Sequence, residues 1–284
     1  MAKRAARAQA GKRAGQEGRP QLPSHLVSDG QLQTVRGAAF VAAMLVATIL
    51  QRAAPHARLR GSWRVNGAIW ILATVVVAAA CGACGFTAAR WTERAGFGLL
   101  HKLPAPAWAA IPLTLLLLDL VSYGWHRANH RVALLWRLHR VHHSDPTFTV
   151  STGVRFHPGE LLLSLPVRVA AILLVGASVA AVLIFEVVFT FANLIEHGDI
   201  DLPRRAEGLV AAVLVTPALH RRHHTRSGRP RNSNFGTIFS TWDRLLGTYF
   251  HSDSTARIDT GLPDLETVPL GRALLMPFLR RGGV

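Results

Sequence analysis

Acidic residues are scarce in this chain. Its 284 residues hold 16 Asp and Glu against 32 Lys and Arg, a formal net charge of +16, and charged residues make up only 17% while half of the chain is apolar. So little charge on so much apolar sequence points away from a freely soluble domain and toward a membrane. Cysteine is nearly absent. The two that occur, Cys81 and Cys84 in "CGAC", exclude a disulfide framework and an all-cysteine zinc or iron–sulfur set. They sit in an uncharged stretch and are read as thiols on a lipid-buried helix. No G-x-G-x-x-G follows a strand-like run, so no dinucleotide fingerprint is present. The first 36 residues lack both aromatics and a periodic apolar face, and are expected to be a disordered basic arm. With no aromatics interleaved among its charges, the arm suits anionic lipid better than nucleic acid, and no nucleic-acid partner is expected. Its charges lie too far from the first apolar run for a cleavable signal.

Long apolar runs are what the chain has in abundance. Residues 65–89 are 25 consecutive uncharged residues, enough at about 1.5 Å per residue to cross a hydrocarbon core of about 30 Å. A second run, 103–125, is interrupted only by Asp119. Residues 37–51 are apolar but short, and fit either a tilted span or an interfacial helix. From Leu161 to Ile195 only Arg168 and Glu186 intrude; as one helix this would measure about 50 Å, so a hairpin turning near Gly176-Ala177-Ser178 is expected. The reading is an all-α integral membrane protein with about four transmembrane helices, two before residue 126 and the hairpin after 160. A helical cap, from 126–160 and from 198 onward, lies on one side. The cap is rich in Lys and Arg, which places it in the cytoplasm, facing inward from the plasma membrane in a bacterium. The basic arm cannot share that side if 37–51 also spans.

Eight of the 14 histidines fall into three groups: His126 and His130 in "HRANH", His139, His142 and His143 in "HRVHH", and His220, His223 and His224 in "HRRHH". On a helix these spacings gather each group's imidazoles within an arc of about 100°. One such group is as well read as a solvated basic surface; three of them, each at the mouth of an apolar segment on one side of a membrane, point to metal. His197, at the hairpin's exit, is a ninth candidate. Eight or nine imidazoles exceed one ion's needs and fit two, while ligand type leaves iron, zinc, copper and nickel open. His157 in "FHPGE" stands as a tenth ligand or as a residue supporting one; a haem loop would need a soluble domain that is lacking. Metal-bound imidazoles pass their other N–H to a carboxylate or carbonyl. Asp119 lies on a helical stripe with Tyr123, His126 and His130 and is the leading candidate, an ion pair with Arg168 being its alternative. Asp145 and Asp243 are weaker candidates, as are Glu160, Glu196, Asp199 and Asp201. Phe185, Phe189, Phe191, Trp108, Trp125 and Trp242 could line a lipid tunnel or anchor helices at the interface.

In this order, with an apolar hairpin between the second and third groups, the boxes at 126–130, 139–143 and 220–224 resemble the fatty acid hydroxylase and sterol desaturase superfamily. Supporting stretches are "FHPGE" at 156–160, "NLIEHGDIDLP" at 193–203 and "NSNFGTIFSTWDRLLGTYF" at 232–250. The resemblance covers roughly 107–250. It divides the chain into the arm (1–36), N-terminal membrane segments (37–106), a histidine-box domain (107–250) and a C-terminal tail (251–284). It implies a di-iron centre held by the eight boxed histidines and His197, with zinc possible in purified protein. It further implies O2-dependent hydroxylation or desaturation of a lipid, with electrons from a separate donor: ferredoxin, or a cytochrome b5-like protein with its reductase. The same clusters also suit a membrane metal transporter, or a zinc-bound scaffold without redox chemistry. A transporter would carry ionisable residues along several spans, whereas here only Asp119, Arg168 and Glu186 intrude.

Overall fold

The computed structural model describes residues 27–58, 61–103, 106–226, 228–251, 258–263, 265 and 268–279. The described residues are helical, joined by turns and three isolated β-bridges. Helix α1 spans Asp29–Ala53, α2 Trp63–Cys81, α3 Cys84–Ala95, α4 Leu99–Lys102 and α5 Ala107–Arg131. After these come α6 Ala133–His139, α7 Pro158–Val175, α8 Val179–Glu196, α9 Arg204–Ala211, α10 Pro217–His223, α11 Thr241–Leu245 and α12 Leu270–Leu275.

Five stretches are long and apolar enough to cross a membrane: α1, the stretch Trp63–Lys102 that contains α2, then α5, α7 and α8. The short run 37–51 is therefore part of a full-length helix. Ser28 begins it, accepting from the Gln31 amide while the Gln31 side chain accepts from the Ser28 amide, a reciprocal cap that starts the helix eight residues before the expected end of the arm. The rest of the arm, 1–26, lies outside the described residues. The uncharged run 65–89 is not one helix either. It breaks at Gly82-Ala83, so the cysteines flank a break instead of lying along a span. The hairpin turns where the sequence puts it: Gly176 closes α7 at φ +74° and the Ser178 hydroxyl accepts from Ala181 N at the start of α8.

The bundle has two distinct ends. At one, α3, the Phe97-Gly98 turn and the hairpin tip meet: Thr92 donates to Ala177 O and Glu93 accepts from Val179 N. The start of α1 is at this end too, since Gln33 donates to Gly82 O. At the other end are the histidines, where Pro55 pairs with Ile200 and Ser62 donates to Asp145. Between them an apolar core of Phe86, Leu100, Leu118, Ile172, Val182 and Phe185 joins α3, α4, α5, α7 and α8. Arg36 of α1 reaches Glu186 at 2.8 Å, and Arg168 approaches the same carboxylate at 3.5 Å. Thus Arg168 is taken by Glu186 and not by Asp119.

Gly98 makes the remote end possible. It sits at φ +106°, and a Cβ there would stand 2.3 Å from both Cα and N of Gly176, backbone atoms that cannot swing aside. Gly98→Ala is expected to destabilise the protein by about 3 kcal/mol or more, read as a lowered unfolding temperature of the purified chain, with the histidine end unaltered in the folded fraction.

Candidate metal centre

Each histidine box is set by a helix end. His126 and His130 project from the last turns of α5. His139 closes α6, and His142 and His143 follow in a 3-10 turn, His142–Ser144. His220 and His223 lie on α10, which starts at Pro217 under a Thr216 cap, and His224 ends it. His197 follows the last residue of α8. All nine come together. They form two groups whose ligand atoms lie within 4.8 Å of one another: His126, His130, His139, His143 and His223, and then His142, His197, His220 and His224.

The grouping corrects the expectation that each box forms one convergent face. The second box gives His139 and His143 to the first group and His142 to the second; the third gives His223 to the first and His220 and His224 to the second. A continuous helix would hold i, i+3 and i+4 on one side. In both boxes the rings stay adjacent, with centroids 4.9 to 5.5 Å apart, and the division follows from which rings of the other boxes each one meets. The groups abut through the stacked rings of His143 and His224, 4.3 Å apart.

The rings are oriented from behind. His126 Nδ1 donates to Phe235 O at 2.9 Å, His223 Nδ1 to Ser233 O at 2.7 Å, His197 Nδ1 to Asn193 O at 2.6 Å and His139 Nδ1 to Glu160 Oε1 at 2.7 Å. Each bond fixes the proton on Nδ1 and leaves the Nε2 lone pair aimed inward. The inward Nε2 atoms of His126, His139 and His223 have no hydrogen-bond partner, although fully buried. Nε2 of His197 stands 3.1 Å from Nε2 of His142 and 3.0 Å from Nε2 of His220, and His130 and His143 approach each other likewise at 3.1 Å. Buried lone pairs converging without donors are costly unless a cation lies among them. The donor set therefore fits two metal ions, one for each group.

Burial also settles the charge. It pushes His197 down to about 4 and His223 down to about 3, and His142, His143, His220 and His224 well below the ordinary imidazole range, neighbouring imidazoles adding to the effect in the last four. All are neutral at pH 7 and ready to bind metal without losing a proton.

The other candidates fall elsewhere. Asp119 accepts from Ile238 N, Phe239 N and Trp242 Nε1, at 3.2, 3.1 and 2.9 Å; its oxygens are occupied by the 238–242 segment, away from the imidazoles. Asp243 accepts from the amides of Phe235 and Gly236 and from Thr248, and burial raises its pKa against those bonds. Asp145 accepts from Ser62, Asn66, Thr147 and Thr152, bracing the loop behind the second box. His157 is a helix cap: its Nδ1 accepts from Gly159 N and its Nε2 donates to Leu274 O. It belongs to neither ligand group. Sequence reasoning ranked Glu160 low, and missed the carbonyls of Asn193, Ser233 and Phe235. It also missed Phe156, stacked on His142 at 4.4 Å. A carbonyl leaves no trace in residue type, so only the ladder of contacts reveals it.

A cavity of about 180 Å³ runs from His126, His139, His142, His197 and His220 to Val167 and Arg168, between α5, α7 and α8. Its walls include Leu118, Val121, Trp125, Phe185 and Phe189. Of the other aromatics, Trp108 is 78% exposed on α5, Trp242 is bound to Asp119 and Phe191 packs toward α1.

Fold and site together define a helical membrane protein with a histidine-walled, two-metal-sized centre at one end of its bundle. Residues 111–248, which contain all nine histidines, match the fatty acid hydroxylase family, the one whose boxes the sequence resembles. It is 30% identical over 172 residues to an ornithine lipid hydroxylase of Rhizobium tropici, covering 61% of this chain and 51% of that protein. It is 33% identical over 141 residues to an alkylglycerol monooxygenase of Danio rerio (48% and 30%), and 28% identical over 151 residues to a cholesterol 25-hydroxylase of Rattus norvegicus (52% and 49%). The chain thus spans about half the length, or less, of these relatives. No solved structure matches it.

Two outcomes are expected. Glu160→Gln removes the carboxylate behind His139 and should weaken metal retention by about 10- to 100-fold, measured as metal content after dialysis against a graded chelator. In metal-free protein the folded histidines resist protonation while unfolded ones titrate near 6.5, so the unfolded state binds more protons below that value. Stability should then fall as pH drops from about 6.5 toward 4, seen as a falling unfolding midpoint that metal loading offsets.

Proposed function

We propose that the protein is a membrane-bound non-haem di-iron oxygenase that hydroxylates, or desaturates, a C–H bond of a lipid. The observation that carries this reading is the position of the nine-imidazole cluster at one end of a largely apolar cavity between α5, α7 and α8. His126, His130, His139, His143 and His223 would hold one iron, and His142, His197, His220 and His224 the other. Bound there, the iron pair would supply the O2 activation that an unactivated C–H bond requires.

The chain's own residues do the rest. Glu160 and the Asn193, Ser233 and Phe235 carbonyls hold the imidazoles in one tautomer and one orientation. Leu118, Val121, Phe185 and Phe189 offer an alkyl or ring system a dry wall and keep water from the reacting end. An ornithine lipid hydroxylase, an alkylglycerol monooxygenase and a cholesterol 25-hydroxylase differ in headgroup and share an apolar body, which supports a lipid substrate that enters by its hydrocarbon part. Two of the three are named for hydroxylation, which favours hydroxylation over desaturation. O2 and an external electron donor complete the reaction. The arginine-rich cap favours the cytoplasmic side for the centre.

Comparative lipid mass spectrometry of cells with and without the protein tests this. A species gaining one oxygen, or losing two hydrogens, should appear under air and vanish under nitrogen. His142→Ala and His223→Ala, one from each group, should each cut that product by about 100-fold or more; variants that oxidise lipid normally would refute the reading.

A further inference from the structure

The centre has two openings of opposite chemistry. Of the nine histidines only His126 and His130 are not fully buried. His126 lines the apolar cavity. His130 instead lines a separate polar recess of about 160 Å³ with Trp136, Arg231 and Asn232. Trp136, half-buried on α6, bridges the recess and the centre: its ring lies 5.0 Å from that of His130 and 5.5 Å from that of His143, two members of the five-histidine group. The guanidinium of Arg231 covers the same indole at 5.4 Å and donates to Arg226 O. The segments that build the recess carry charge of one sign. Residues 120–144 contain four Arg and no acid, and residues 208–242 five Arg and no acid; Arg140, Arg221 and Arg222 are buried, while Arg131, Arg137 and Arg229 are exposed.

We infer that this recess is the docking and electron-transfer site for a small acidic one-electron carrier protein, with the Trp136 indole as relay into the five-histidine group. The inference rests on the oxidative function proposed above, which requires electrons that no group within the chain supplies. Lipid occupies the other opening, so the donor's electrons must come through protein on the cap side. An aromatic ring that touches two ligand imidazoles and reaches the surface gives the most direct covalent and van der Waals route there. A basic rim steers an acidic partner and holds it in a small, salt-sensitive contact, the type usual for redox encounters. Each encounter oxidises the carrier by one electron and reduces the centre by one. Two encounters and two protons convert O2 and a C–H bond to an alcohol and water.

The test uses the full-length, iron-loaded chain in lipid nanodiscs and a plant-type [2Fe–2S] ferredoxin as the acidic probe. Arg229→Glu combined with Arg231→Glu is expected to weaken ferredoxin binding about tenfold or more at low salt, while Arg94→Glu at the remote end of the bundle leaves it unchanged. Trp136→Leu is expected to keep ferredoxin affinity and iron content and to slow reoxidation of reduced ferredoxin about tenfold or more, with reduction by dithionite as fast as in the parent. Trp136→Phe should fall between, and it decides the question if the leucine variant does not load iron. Unchanged affinity in the arginine variant overturns the docking site. An unchanged ferredoxin rate in the Trp136 variant, or an equal slowing with dithionite, overturns the relay. The binding arm needs neither lipid nor turnover: a chain that takes electrons through Trp136 and oxidises no lipid refutes the proposed function alone, and ferredoxin-driven lipid oxidation that ignores both substitutions refutes this inference alone.

Discussion

Nine imidazoles can share one dry volume only if none is charged and each has a fixed place for its single proton. Tethering of Nδ1–H to groups behind the rings meets the second condition for His126, His139, His197 and His223. Much of the chain's polar architecture follows from supplying those acceptors. Glu160 stands at the first turn of α7 and receives from Asn129 as well as His139; Asn193 offers its carbonyl from the last turn of α8 while its side chain ties to Gly153. A helix end is the natural source of such acceptors, because its last carbonyls have no partner within the helix.

The two remaining acceptors come from a loop, and a loop must be made rigid before it can orient anything. Asp243 binds the Phe235 and Gly236 amides and Thr248 in turn. Asp119, on α5, binds the next amides, Ile238 and Phe239. Tyr123, one turn further along α5, reaches Thr248. The stripe Asp119, Tyr123, His126, His130 is thus a docking edge along which one helix fastens the loop that orients its own histidine. A buried acid inside a membrane helix is tolerated here because three donors satisfy it.

The histidine cluster was legible because it depends on residue type and spacing, and histidine repeated in short groups serves few purposes besides holding metal. The hairpin was legible for the same reason: glycine and a capping serine interrupt a run too long for one crossing. The division of the second and third boxes between the two groups was not, because spacing within a box does not show which rings of the other boxes it meets. Asp119 misled for a related cause. A helical stripe shows which residues share a face but not which segment, more than a hundred positions later, covers that face. Helix α1 was underestimated because its polar N-terminal turns, Asp29 to Arg36, hide its length. Arg36 sits in a spanning segment only because Glu186 waits on α8, a partner that α1's own sequence does not reveal.

The asymmetry of the two open histidines ties the site to its surroundings. Under the proposed function the centre must admit a lipid and electrons without admitting bulk water to both, so its two approaches have to differ in character. Here the difference arises from which end of α5 each histidine faces. His126, one turn deeper, looks into the space between α5, α7 and α8, where the walls are leucine, valine and phenylalanine. His130, at the last turn, looks past Trp136 to arginines. Four residues along one helix separate an apolar-walled cavity from an arginine-lined recess, so the spacing of the first box also sets the boundary between the two approaches.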